Sequence, residues 1–137
     1  MSSRRETILA ALLARINAAT SVTALMRGRE SDDFRLLPNE LPAVVIEKQR
    51  DSAKAENDNS IRTLEIEVAI YTANDDPAAD TLNQTTVAAV LAIKSDLPGV
   101  RIREGATTWE DIPAEQPILR TSVEFAIGYR TDFNSIL

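Results

Sequence analysis

Large apolar residues alternate with polar or small ones from Thr63 to Thr72: Leu64, Ile66, Val68 and Ile70 take the even positions, Thr63, Glu65, Glu67, Ala69 and Tyr71 the odd ones. Side chains of a strand point alternately to opposite faces, so this period of two predicts a strand with one core face and one face that is wet or meets a partner. The pattern returns near the end of the chain. There Leu119, Thr121, Val123, Phe125, Ile127 and Tyr129 alternate with Arg120, Ser122, Glu124, Ala126, Gly128 and Arg130, which predicts a second strand of the same kind. Leu41-Pro42-Ala43-Val44-Val45-Ile46-Glu47 is instead a nearly continuous apolar, β-branched run, as expected of a short buried strand. Pro42 stands at its start, where a ladder donor is dispensable, and the strand at 63–72 is expected to run antiparallel to it.

Two stretches carry the helical period. Ser3 and Glu6 form a capping-box pattern, and Ile8, Leu9, Leu12, Leu13 and Ile16 recur on one stripe, which predicts a helix over 4–18. Arg4, Arg5, Arg15 and Asn17 fall mostly off the stripe, on what should be a solvated face. In the second stretch Asp76 is placed to cap and Pro77 to open a helix. Leu82, Thr86, Val90, Ile93 and Leu97 form its stripe, widened by Val87 and Leu91, until Pro98-Gly99 stops it. Between these elements the signals weaken. Residues 19–28 read as a short strand or irregular turn, 27–39 as loop or edge, 100–103 as a short strand placing Arg101 and Arg103 on one face, and 105–116 as a loop around Trp109, the sole tryptophan. The polar passage 49–60 predicts a solvated loop, or one that orders only on assembly. The tail 131–137, with Phe133, Ile136 and Leu137, is expected to be tucked or frayed. The fold expected is a single α+β (α/β) domain over 1–137, a mixed or mainly antiparallel sheet with two amphipathic helices packed on it.

Composition narrows the function more than the fold. A chain of 137 residues, 44% hydrophobic and 26% charged, suits one soluble domain, and with six aromatic residues its core must come mainly from Leu, Ile, Val and Ala. Histidine and cysteine are both absent, which removes Ser-His-Asp hydrolysis, thiolate chemistry and the usual zinc sites. The four glycines are scattered, so no phosphate-cradling loop exists. A net charge of −6 argues against general nucleic-acid binding. No apolar run approaches ~20 residues, so neither a membrane span nor a secretory signal is expected, and the chain reads as soluble and cytoplasmic when made.

Carboxylates are the remaining candidates for chemistry. Glu30, Asp32 and Asp33 lack the further oxygen ligands of a calcium loop. Glu65 and Glu67 share a strand face, where solvation or pairing across an interface is the ordinary reading. Asp75, Asp76 and Asp80 hold magnesium only in an alternative reading as a small carboxylate enzyme, since helix capping already explains Asp76. No catalytic, cofactor or metal residue is therefore assigned. A binding surface is left, with Glu65, Glu67 and Tyr71 on the second face of the 63–72 strand, Arg50, Asp51, Glu56, Asp58 and Arg62 in and beside the polar passage, and Trp109 as a candidate anchor.

The order of elements resembles the bacteriophage tail terminator family, the family of minor tail protein U of lambda-like siphophages. The resemblance spans most of the chain. It rests on the helix Arg4 to Ala18, Leu41-Pro42-Ala43-Val44-Val45, the polar stretch Asp51 to Ser60, Leu64-Glu65-Ile66-Glu67-Val68 with its acidic, Pro-containing turn, the helix ending near Ser95-Asp96-Leu97-Pro98, and the closing Ile127-Gly128-Tyr129. The segments 101–103 and around Trp109 have no counterpart in it. The resemblance implies a non-enzymatic virion protein without cofactor, in the host cytoplasm during assembly and then at the head-tail junction. It implies a homo-hexameric ring that caps the finished tail tube, contacts the major tail tube protein and the head-tail connector, and lets DNA pass through its lumen. Another neck or head-tail completion protein is the alternative within the same assembly.

Overall fold

The computed structural model describes residues 4–22, 24–27, 41–56, 59–97, 99–113 and 117–130. Helix α1 is Arg4–Ala19 and helix α2 is Ala79–Leu91; the strands are β1 (Ala24–Arg27), β2 (Ala43–Glu56), β3 (Asn59–Ala73), β4 (Arg101–Ile112) and β5 (Ile118–Arg130). They form one five-stranded sheet in the order β1-β2-β3-β5-β4. β1 runs parallel to β2, and every other neighbouring pair is antiparallel. The sheet is thus mixed and mainly antiparallel, as the alternation predicts.

Both helices lie on one face of it. The even residues of β3, Leu64, Ile66, Val68 and Ile70, are buried with Val44 and Ile46 of β2 and with Val123, Phe125, Ile127 and Tyr129 of β5. Against them pack Ile8, Leu9, Leu12 and Ile16 of α1 together with Ala89, Val90 and Ile93 of α2 and the turn after it. Apart from Ala89 these residues lie on the stripes that the helical period picks out, and burying them supplies the main hydrophobic stabilisation of the domain. Arg15 fastens the edge of this layer. Its Nε and Nη2 donate to Asp96 Oδ2 and Oδ1, both at 2.7 Å, joining α1 to the end of the short 3₁₀ turn Ala92–Ser95.

The second helix begins later than its cap signal indicates. Asp76 Oδ1 accepts the Ala78 N–H at 2.8 Å, while the Asp76 N–H donates to the Ala73 carbonyl at 3.0 Å. Asp76 therefore shapes a turn through 77–78, and the helix proper starts at Ala79. At the far end Gly99 adopts φ 88°, a left-handed conformation that glycine enters without strain.

Two expected loops are strands. The passage 49–60 is not a loop: β2 continues to Glu56, β3 begins at Asn59, and their residues pair from Gln49↔Ile66 to Glu56↔Asn59 beyond a register shift at Ile46/Gln49. Strand pairing joins backbone groups, so a polar hairpin satisfies its N–H and C=O groups without presenting an apolar face. The stretch 105–116 is likewise strand as far as Ile112. β4 is exposed at most positions, which erases the alternation, and a bulge between Glu104 and Thr107 breaks the remaining period. Gly105 lies in that bulge, where a Cβ would come within 3.3 Å of Glu124 Cβ. The stretch 19–28 supplies β1. Ser3, residues 28–40 with Glu30, Asp32 and Asp33, Asp58, Pro98 and the tail 131–137 lie outside the described residues.

Candidate functional site

The face of the sheet opposite the helices is assembled by register. Ala43 and Val45 of β2 stand beside Tyr71 and Ala69 of β3, which stand beside Arg120 and Ser122 of β5, which in turn stand beside Glu110 and Thr108 of β4. Part of this face is a second, smaller apolar cluster. Ala43, Val45, Ala69, Tyr71 and Ile118 are buried, with Leu41 and Ile112 packed against them. Ser122 is buried as well and shares a hydrogen bond of 2.7 Å with Thr108.

Arg120 is the centre of the polar part. Its Nη2 donates to Glu47 Oε2 at 2.7 Å and to Glu67 Oε1, and its Nε donates to the Tyr71 hydroxyl at 3.2 Å. The Tyr71 hydroxyl itself donates to Glu47 Oε1. One guanidinium thus ties β2, β3 and β5 together on the helix-free side, with all three charged side chains less than one-fifth exposed. Burial alone would lower the Arg120 pKa, but the hydrogen bonds to Glu47, Glu67 and Tyr71 outweigh it and hold the group firmly charged. Burial, reinforced by the bond to Glu47, raises the Tyr71 phenol well above its ordinary value. Near neutrality neither group exchanges a proton. The cluster suits bracing of the sheet rather than acid–base chemistry.

Beyond this network the face opens to solvent. Glu65 is exposed and lies opposite Arg50, also exposed. Arg101, Arg103 and Glu124 are exposed on the neighbouring strands.

Among the described residues, the expected interface residues are spread over β2, β3 and β4. Glu65 and Arg50 do face each other across β2 and β3. Glu67 and Tyr71, expected on a binding surface, are bound into the Arg120 network. Asp51 and Glu56 lie on β2 in register with Leu64 and Asn59, while Arg62 belongs to the even set of β3, opposite in parity to Glu65. Trp109 sits on the edge strand β4, not in a loop, and is 63% exposed. Arg120 and Glu47, the centre of this network and one of its partners, are not among the residues that the sequence singles out. The alternation does place Arg120 on the second face, but which residues stand beside it depends on register, which polarity alone does not reveal.

Of the carboxylates considered for metal, Asp76 is engaged by its own turn. Among the described residues no group of three or more converges on a metal-sized site. No described helix is long and apolar enough to cross a membrane.

No family model matches the chain, and no curated protein matches it. Among solved structures, a chain described as "Virion of native gene transfer agent (GTA) particle" is similar at 14% identity with a TM-score of 0.47, over 89% of this chain and 93% of that one. The likeness is too distant for a role to pass from one chain to the other.

Proposed function

We propose that this chain is a structural virion subunit of the tail terminator kind, a protein that forms a hexameric ring on the completed tail tube and offers the surface to which the head connector joins. The observation that carries the reading is the β2–β3 hairpin. β1 pairs only with Ala43 to Ile46 of β2, so from Glu47 to Glu56 the outer side of β2 meets no strand among the described residues. An open edge of that length is a template for pairing with another chain, and a ring in which each hairpin reaches its neighbour removes it.

The resemblance of the chain's element order to tail terminators supports the same reading. So does its chemistry, without histidine, cysteine or a glycine-rich loop. In the ring, Arg50, Asp51, Glu56 and Arg62 belong to the hairpin and its base, where they meet the adjacent subunit. Glu65 lies on the helix-free face that meets a neighbour or lines the lumen, and Glu67 and Tyr71 act behind it by keeping that face rigid. A net charge of −6 lets DNA pass without the counterion release that fastens basic proteins to phosphate. The partners are the tail tube below and the connector above.

Electron microscopy of particles assembled without this protein tests the proposal. Tails of uncontrolled length are expected. Tails of normal length detached from heads would transfer the chain to the neck, and intact infectious particles would remove it from the assembly.

A further inference from the structure

The edge strand β4 has a charge and shape pattern that fits a second copy of itself. Arg101 and Arg103 occupy its first half and Glu110 and Asp111 its second, so reversing the strand sets opposite charges against each other. Residues facing each other across antiparallel strands must point to the same side of the sheet, which restricts the possible registers. Before the bulge Arg101 aligns with Gly128 and Ile102 with Ile127; after it Trp109 aligns with Thr121 and Glu110 with Arg120. Arg101 and Glu110 therefore share the helix-free side. Ile102 and Trp109 share the helix-covered side, Ile102 packed against the main core and Trp109 exposed at its margin.

We infer that two copies of this chain pair through β4 about a two-fold axis between Gly105 and Ala106, with Arg101 opposite Glu110 and Ile102 opposite Trp109, each twice. This register also sets Arg103 against Thr108 and Glu104 against Thr107, so no like charges meet. Sliding by two residues one way sets Ile102 against Asp111 and Trp109 against Glu104; sliding by two more sets Glu104 against Asp111. Sliding by a single residue puts the side chains on opposite faces. The axis coincides with the bulge, so the irregularity of one strand meets that of the other, and with Gly105 opposite Ala106 only one methyl group from each strand stands at the centre. The seam joins two sheets into one of ten strands and lays each Trp109 against the partner's Ile102, at the rim of the partner's main core. Glu110, already in register with Arg120 of its own β5, gains the arginine of the second copy on its other side.

A two-fold seam closes on itself and makes a pair. It is independent of ring formation through the β2–β3 edge, which would appear as a larger species. Sedimentation velocity of the full chain is expected to show a concentration-dependent monomer–dimer equilibrium. R101E alone and E110R alone should each weaken the pair about tenfold or more, because each replaces two attractions by two repulsions. R101E/E110R should restore it. A chain that stays monomeric at its highest soluble concentration, a dimer indifferent to R101E, or a double variant that fails to recover would each overturn the proposal. Circular dichroism melts of the variants confirm that folding is intact. The chain has no cysteine, so oxidation of an R103C/T108C variant gives a second readout. A covalent dimer on a non-reducing gel is expected there and not for R103C/T107C, and equal yields from both would overturn the register.

Discussion

The two faces of β3 are held by different means. Toward the helices, Leu64, Ile66, Val68 and Ile70 are almost completely buried in one apolar cluster fed by both helices and three strands. On the other side Ala69 and Tyr71 enter a small apolar patch, Glu67 is drawn into the Arg120 network, and Glu65 stands in solvent. The first face is non-directional, and its stability grows with the area covered. The second depends on a few polar groups meeting in one geometry, so single partners matter there more than area does.

Truncation separates the two faces. Leu64→Ala removes a side chain with no exposure from the middle of the covered face and should lower stability by about 3 kcal/mol, as buried leucine truncations do. A fall in urea midpoint at unchanged slope would show it. Arg120→Met keeps a stem of similar length over Tyr71 but strands Glu47 and Glu67 without their cation. Because these side chains retain some exposure, about 2 kcal/mol is expected rather than the full penalty of a buried orphan charge. Adding Glu47→Gln and Glu67→Gln should recover at least half of that loss, since neutral amides need no cation. No recovery would mean that Arg120 acts by packing alone.

This contrast also decides what was legible in the sequence. A face built from area writes itself as periodicity, so the even residues of β3, the odd residues of β5 and the stripes of α1 and α2 could be named from spacing. A network built from partners does not. Arg120 reaches Tyr71, Glu67 and Glu47 across sequence separations of 49, 53 and 73 residues, and only the register of three strands brings them together. The polar half of β2 and the part of β4 from Gly105 onward read as loops for a related reason: with little apolar surface to bury on either face, a strand leaves no alternation, though its backbone pairs as well as any other. The sequence therefore names candidate surface residues without their arrangement. Glu65 and Glu67 looked equivalent in sequence and are not.

A pair of charge reversals sharpens that last point. Glu65→Lys changes an exposed residue opposite Arg50 and should shift stability by no more than about 0.5 kcal/mol. Glu67→Lys sets a second cation against Arg120 and should approach the loss seen for Arg120→Met. Only Glu65→Lys can thus report on assembly without a folding defect. Particles that incorporate it and mature normally would remove Glu65 from the proposed contact surface.

The smallest effect belongs to Arg15 and Asp96, which repeat the arginine–carboxylate chemistry of Arg120 at the solvent-exposed margin of the helix layer. Both side chains are 40% exposed and are joined by two hydrogen bonds of 2.7 Å. The hydrogen bond from Arg15 lowers the Asp96 carboxyl below its ordinary value of 3.8; desolvation opposes this, and the charge of Arg15 adds to it. A carboxylate whose folded pKa is depressed stabilises the fold above its unfolded pKa, and that contribution fades as pH falls through the folded value. Asp96→Asn should therefore be slightly less stable than the unaltered chain near neutrality, and the gap should close in acid below 3.8. Added salt should also narrow it, because exposed charges are screened whereas the less exposed Arg120 network is screened much less. Urea midpoints at neutral and acid pH, each with and without salt, test this directly. A gap that survives acid and salt would mean that the clamp holds α1 by shape, and would erase the distinction between exposed and buried arginine pairs on which the contrast between the two faces depends.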